Sequence, residues 1–197
     1  MKAARGRPRS FDPEKAIEAA QAVFWKHGYE ATSLNQLAEA VGLHKPSLYA
    51  AFGDKKALYL KALEAYIADA QDLLKKALAE PKLRDALTAF FKTDIEIFMA
   101  DRGRGCFLLS TAVPVAGMIE EAGALVAATR KNVGAALTKR LMMAQEMGEL
   151  ARDRDLFPLV SLLASTHIAL ALRARSGEDE ADLWATAESA VNMVCGG

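Results

Sequence analysis

A chain of 197 residues with 52% hydrophobic content is long enough for one large domain, or a small domain joined to a bigger one, and needs neither disulfides nor metals to fold. Its two cysteines, Cys106 and Cys195, lie far apart with no signal peptide ahead of them, which favours a reducing cytoplasm over a secreted scaffold. The formal charge is zero, yet residues 1–62 carry 10 Lys+Arg against 6 Asp+Glu and the remainder 15 against 19, a basic head on an acidic body, as in a polyanion-binding module joined to a non-binding domain.

Residues 1–10 hold Lys2, Arg5, Arg7 and Arg9 with Gly6, Pro8 and no acid, which predicts a flexible basic arm. Such an arm can lie along phosphates or serve only as a solvated tail. From Pro13 to His27 the apolar residues recur at helical spacing, with Asp12 as N-cap and Gly28 as stop. Leu34, Leu37, Ala38 and Val41 predict a second helix, capped by Thr32 or Ser33 and ended by Gly42. After the turn Leu43 to Lys45, Pro46 opens a short third helix that ends near Phe52. Asp54 caps a long fourth helix running toward Pro81, and a fifth spans about Leu83 to Ala100. A glycine-bearing loop, 101–105, precedes the apolar run Cys106 to Val115. Further helices are predicted at about 119–147, 155–174 and 180–194. No segment alternates as a half-buried strand does, no internal repeat appears, and no run of about 18 uncharged apolar residues predicts a membrane span. The fold class is therefore all-α, with about nine helices.

Two amphipathic helices joined by a short turn at a glycine, resting on a preceding helix, are the scaffold that presents a recognition helix to the major groove. Leu34, Leu37, Ala38, Val41 and Leu48 face inward, and Asn35, His44, Lys45, Ser47, Tyr49 and Ala50 face out. In one register over this head stand Phe24, Gly28-Tyr29, Thr32-Ser33, Leu37-Ala38, Val41-Gly42-Leu43, Pro46-Ser47-Leu48-Tyr49, Phe52 and Lys55-Lys56-Ala57-Leu58. This order resembles the N-terminal signature of the tetracycline-repressor (TetR/AcrR) family of transcriptional regulators.

The resemblance implies a flexible arm (1–10), a three-helix helix-turn-helix DNA-binding domain (11–56) and a helical ligand-binding and dimerisation domain (57–197) in a homodimer on double-stranded operator DNA, with no cofactor. It implies that Thr32, Ser33, Tyr49 and Lys55 hold phosphates, while Asn35, Lys45, Pro46 and Ser47 face bases. His44 departs from the family, which often has a serine cap there; either the helix start frays or His44 contacts phosphate. The last two helices would meet their twins in a four-helix bundle, placing the recognition helices roughly 34–36 Å apart.

For an effector site the candidates are Phe91, Ile95, Phe98, Cys106, Leu109, Met142, His167 and Leu170, with Met99, Phe107 and Thr166 beside them. Each can equally be core. Cys106 follows Arg102-Gly-Arg104-Gly at a helix start, where dipole and guanidinium charges would lower a thiol pKa and suit it to sensing oxidants or electrophiles; the other reading is a small buried hydrophobe. Enzyme motifs are missing: there is no phosphate-binding glycine loop, HExxH or CxxC, and no histidine follows a glutamate by three residues. The expected function is a transcriptional repressor released by a small-molecule or thiol-reactive effector. The alternative is an effector-independent or activating DNA-binding protein of the same fold.

Overall fold

A computed structural model describes residues 11–196, the side chain of Arg102 excepted. Among these residues there are nine helices and no strand: α1 (Pro13–Ala31), α2 (Leu34–Val41), α3 (Lys45–Phe52), α4 (Lys55–Ala77), α5 (Leu83–Gly103), α6 (Phe107–Thr111), α7 (Glu120–Glu146), α8 (Leu156–Arg175) and α9 (Glu180–Cys195). The basic arm expected at residues 1–10 lies outside the described residues.

The chain divides into two compact units between Ala62 and Leu63. The division falls further along α4 than the head boundary expected after residue 56, because Leu58, Tyr59 and Ala62 are buried in the head. Tyr59 meets Phe24 edge-on at 5.0 Å and Tyr29 at 4.8 Å. Aromatic pairs in these geometries contribute about 0.5–1.5 kcal/mol each beyond the area they bury.

In this first unit Asp12 caps α1 by accepting from the N–H groups of Glu14 and Lys15. Gly28 breaks the helix as expected, at φ 76°, but one further helical turn to Ala31 follows where a plain link was expected. Gly42 adopts φ 70° and returns its N–H to the carbonyls at the end of α2, so the chain reverses within three residues into α3. A side chain here would meet the left-handed penalty of roughly 1–2 kcal/mol.

The second unit is built on α5 and α8, which pack on each other and on α9, with α7 against α8. Leu87, Phe90, Phe91, Ile95 and Phe98 bury α5, and Leu163 and Leu170 bury the facing side of α8. The loop after α5 lies tight on α8: a Cβ at Gly103 or Gly105 would stand 2.6 Å from the Ala174 carbonyl oxygen or 2.7 Å from that of Ala171. Only glycine permits that approach, and it sets Cys106 and the short α6 beside α8.

Candidate nucleic-acid interface and ligand cavity

The start of α2 is held by reciprocal bonds. Ser33 Oγ accepts from the Gln36 N–H at 3.3 Å, and Gln36 Oε1 accepts from the Ser33 N–H at 2.8 Å, a complete capping box. Gln36 was not among the residues expected to matter, although Ser-x-x-Gln before an apolar run signals this motif. Thr32 sits differently from Ser33. It is 2% exposed, its hydroxyl donates to the Gly28 carbonyl at 2.6 Å, and its N–H goes to the Tyr29 carbonyl, so it clasps the end of α1.

His44 is the N-cap of α3 and makes no side-chain cap bond, which leaves its ring exposed and uncommitted to the helix. Asn35, His44, Lys45, Pro46, Ser47 and Tyr49 are all exposed, on the outer side of α2 and α3, while Leu48 and Phe52 are buried. Asn35, His44 and Lys45 border one open notch between the two helices. Lys55 is half-buried: its Nζ donates to the Glu30 carbonyl at 3.2 Å and sits 4.5 Å from the Tyr29 ring. Burial lowers its pKa, partly opposed by Glu30.

The body encloses a largely apolar cavity of about 190 Å³. Of the expected effector residues, Phe98, Cys106, Leu109 and His167 line it. Phe91, Ile95 and Leu170 do not; they are fully buried core. On α5 the lining positions are Asp94, Ile97 and Phe98, a helical stripe that turns Ile95 away and leaves Phe91 beyond its end. Met142 is exposed, because the stripe of α7 that faces the cavity runs through Val126, Thr129, Arg130 and Val133, and Met142 projects off it. Met99, Phe107 and Thr166 also lie outside the lining.

Two polar pairs stand in this apolar wall. The Tyr66 hydroxyl donates to Cys106 Sγ at 3.4 Å. His167 Nδ1 lies 2.7 Å from Asp94 Oδ2, with the Phe90 and Phe98 rings against the imidazole at 5.7 and 5.8 Å. Burial raises the Asp94 carboxyl, against the pull of His167. Burial pushes His167 down, but the charge and hydrogen bond of Asp94 outweigh it and the imidazole is raised. Tyr66 and Asp94 were missed in the sequence, Tyr66 because it reads as one more member of an apolar stripe. Asp94 left only a weak signal, an acid set among Phe90, Phe91, Ile95 and Phe98, where Glu96, which is exposed, also stands.

Of the two readings of Cys106, its surroundings favour the buried one. Its thiol is pushed up by burial, against the lowering effect of Tyr66 and of the backbone at Leu109 and Leu108. The helix that follows is only five residues long, and the Arg104 guanidinium pairs with Asp101 at 2.7 Å. The resting group is thus a thiol and not an activated thiolate. The chamber offers a small apolar guest a tyrosine hydroxyl, a thiol and an ion pair, with Gln71, Thr129 and Arg130 as further polar groups in its wall.

A helix-turn-helix head joined to a helical body defines a class of DNA-binding regulator. The family model described as bacterial regulatory proteins, tetR family, matches residues 16–62. The transcriptional repressor ComR of Escherichia coli K12 is 30% identical over 180 residues, covering 90% of this chain and 86% of ComR. The repressor BdcR of the same organism is 45% identical over 62 residues, 32% of either chain. Among solved structures, a cysteine mutant of the TetR family regulator CifR, complexed with 26-base-pair double-strand operator DNA, is 31% identical with a TM-score of 0.84, covering 95% of this chain and 98% of that one. The chain belongs to the TetR family of DNA-binding transcriptional regulators, which are not enzymes.

Proposed function

We propose that this regulator is a homodimeric repressor whose hold on operator DNA is released by a small, mainly apolar effector entering the chamber between Tyr66, Cys106 and His167. The observation that carries the reading is the chamber itself. It places hydrogen-bonding groups from α4, α5, α7, α8 and the residue ahead of α6 around a cavity of about 190 Å³ in a mainly apolar setting. A cavity of about 150 Å³ admits benzene, so the guest is a molecule on the scale of one ring. Release requires only that the effector bind the DNA-free form more tightly than the DNA-bound one. With the thiol pushed up by burial, a reversible ligand is favoured over one that alkylates Cys106.

On the head, Ser33, His44, Tyr49 and Lys55 hold phosphates, and Asn35, Lys45, Pro46 and Ser47 face base edges. The exposure of Ser33 and Asn35 at the start of α2 and of His44, Lys45, Pro46, Ser47 and Tyr49 at α3 supports these roles, with half-buried Lys55 contributing the donors not taken by Glu30. Repression is favoured by the names of ComR and BdcR. Activation is the second reading, since the activator FasR of Mycolicibacterium smegmatis is 33% identical over 89 residues, 43% of this chain.

Dimerisation is supported by α8 and α9. Helix α8 is apolar and long enough to cross a membrane by length and composition, yet only 28% of its most apolar window is buried. Phe157 and Leu172 are 78% and 69% exposed, and Met193 of α9 is 64% exposed. An apolar surface of this kind is covered when a twin packs on it.

The test is fluorescence anisotropy on DNA upstream of the protein's own gene, followed by release with small apolar compounds and, separately, with aldehydes, quinones and oxidants. Specific binding reversed by an inert compound is the expected result. Release by electrophiles alone, abolished in Cys106→Ser, would select the thiol-reactive effector instead. Binding that no compound weakens would sink the effector reading.

A further inference from the structure

The body holds a second cavity, of about 400 Å³, between α4, α5 and α7. Its charged lining is Lys75, Lys139 and Arg140, and no acidic residue borders it. Arg140 is 3% exposed. Its Nη2 donates to the Glu80 and Pro81 carbonyls at 3.3 and 3.2 Å, while Nε and Nη1 have no partner among the described residues. No carboxylate among those residues pairs with it; that of Glu149 is engaged by the Leu83 N–H. A buried guanidinium with unused donors is costly until an anion completes it. Lys75 and Lys139 are exposed at the same cavity, and the remaining wall, apart from Gln71 and Asn132, is apolar, with Leu78, Phe90 and Met143.

We propose that this cavity binds an organic anion with an apolar chain, its head drawn to Arg140, Lys139 and Lys75 and its chain lying along Leu78, Phe90 and Met143. The positive charge selects against neutral guests, and the apolar wall selects against a bare inorganic ion. This site is separate from the chamber beside Cys106, which contains Asp94, although Gln71, Leu74 and Val133 border both. It stands or falls without any assumption about DNA release.

The test is isothermal titration calorimetry of the full chain with decanoate, decan-1-ol and inorganic phosphate. Decanoate should saturate a single site per chain at least about tenfold more tightly than decan-1-ol, because a charged hydrogen bond is added to the same apolar burial. Arg140→Gln and the double variant Lys75→Gln/Lys139→Gln should lose that preference. Far-UV circular dichroism checks each fold; if Arg140→Gln does not fold, the double variant at the exposed lysines decides. Equal affinity for acid and alcohol, or an unchanged preference in the folded variants, would overturn the site. Phosphate binding as tightly as decanoate would overturn the apolar chain.

Discussion

The Tyr66 hydroxyl donates to the Cys106 thiol at 3.4 Å inside the body cavity, joining α4 to the start of α6. A hydrogen bond to sulfur favours the thiolate, but burial opposes it more strongly and the thiol is raised. Alkylation of Cys106 by iodoacetamide, followed by mass spectrometry, should therefore be slow at neutral pH and accelerate only above the ordinary thiol value of 9.0. Tyr66→Phe should move the inflection higher still. An inflection below pH 7 would contradict the assignment.

Asp94 and His167 make the same cavity sensitive to pH. Both are raised, so the folded protein holds each proton more tightly than the unfolded chain does. The His167 contribution is complete below its ordinary value of 6.5 and is lost as the pH rises through the raised folded value. Asp94 acts in the same sense, present below 3.8 and lost as the pH climbs through its own raised value. The melting temperature should fall as the pH is taken upward from 6.5. In Asp94→Asn burial acts on His167 without its counter-charge, and an NMR titration of the ring should find the imidazole below its ordinary value. Because one partner of a buried pair is removed, the variant should also lose roughly 3–5 kcal/mol at weakly acidic pH.

Thr32 and Lys45 separate stability from recognition. Thr32→Val removes the hydroxyl bonded to Gly28 in a buried setting and should destabilise the head by about 1–3 kcal/mol. Operator affinity of the folded fraction should be unchanged. Lys45→Ala, at an exposed position, should leave thermal stability alone and weaken specific DNA binding by roughly 1–3 kcal/mol. Anisotropy and calorimetric melting on both variants check the pair, and a melting loss in Lys45→Ala would refute its role as a reader.

Leu172→Glu and Phe157→Asp should yield monomers by light scattering at micromolar concentration, since each sets a charge in the proposed twin-facing surface of α8. Both positions are exposed in the single chain, so the fold itself should persist by circular dichroism. Dimers that persist in both variants would remove α8 from the interface.

Much of the head was legible because its signals are local. Asp12, Ser33 and Asp155 cap helices beginning within two residues of them, and Gly28 and Gly42 mark breaks through their own backbone angles. The unrecognised part of the capping box, Gln36, lay three residues from Ser33 and was equally available. A hydroxyl at a helix entrance looks alike in sequence whether it faces solvent or, as in Thr32, folds back onto Gly28. In the body, periodicity located the helices but not which side of each would border the cavity, so Phe98, Cys106, Leu109 and His167 were identified together with core residues such as Phe91, Ile95 and Leu170.

By itself, then, the sequence determined an all-helical chain, a helix-turn-helix with its exposed donors, and membership of a regulator family, because each of these is written in spacings of a few residues. Tertiary structure alone decided what the chamber contains. Tyr66 meets Cys106 across 40 positions and His167 meets Asp94 across 73, contacts that depend on how separate helices rotate and pack against one another. The same packing buried the Cys106 thiol and reversed the direction expected for its pKa, since desolvation in a packed interior outweighs a short helix and a guanidinium already paired with Asp101.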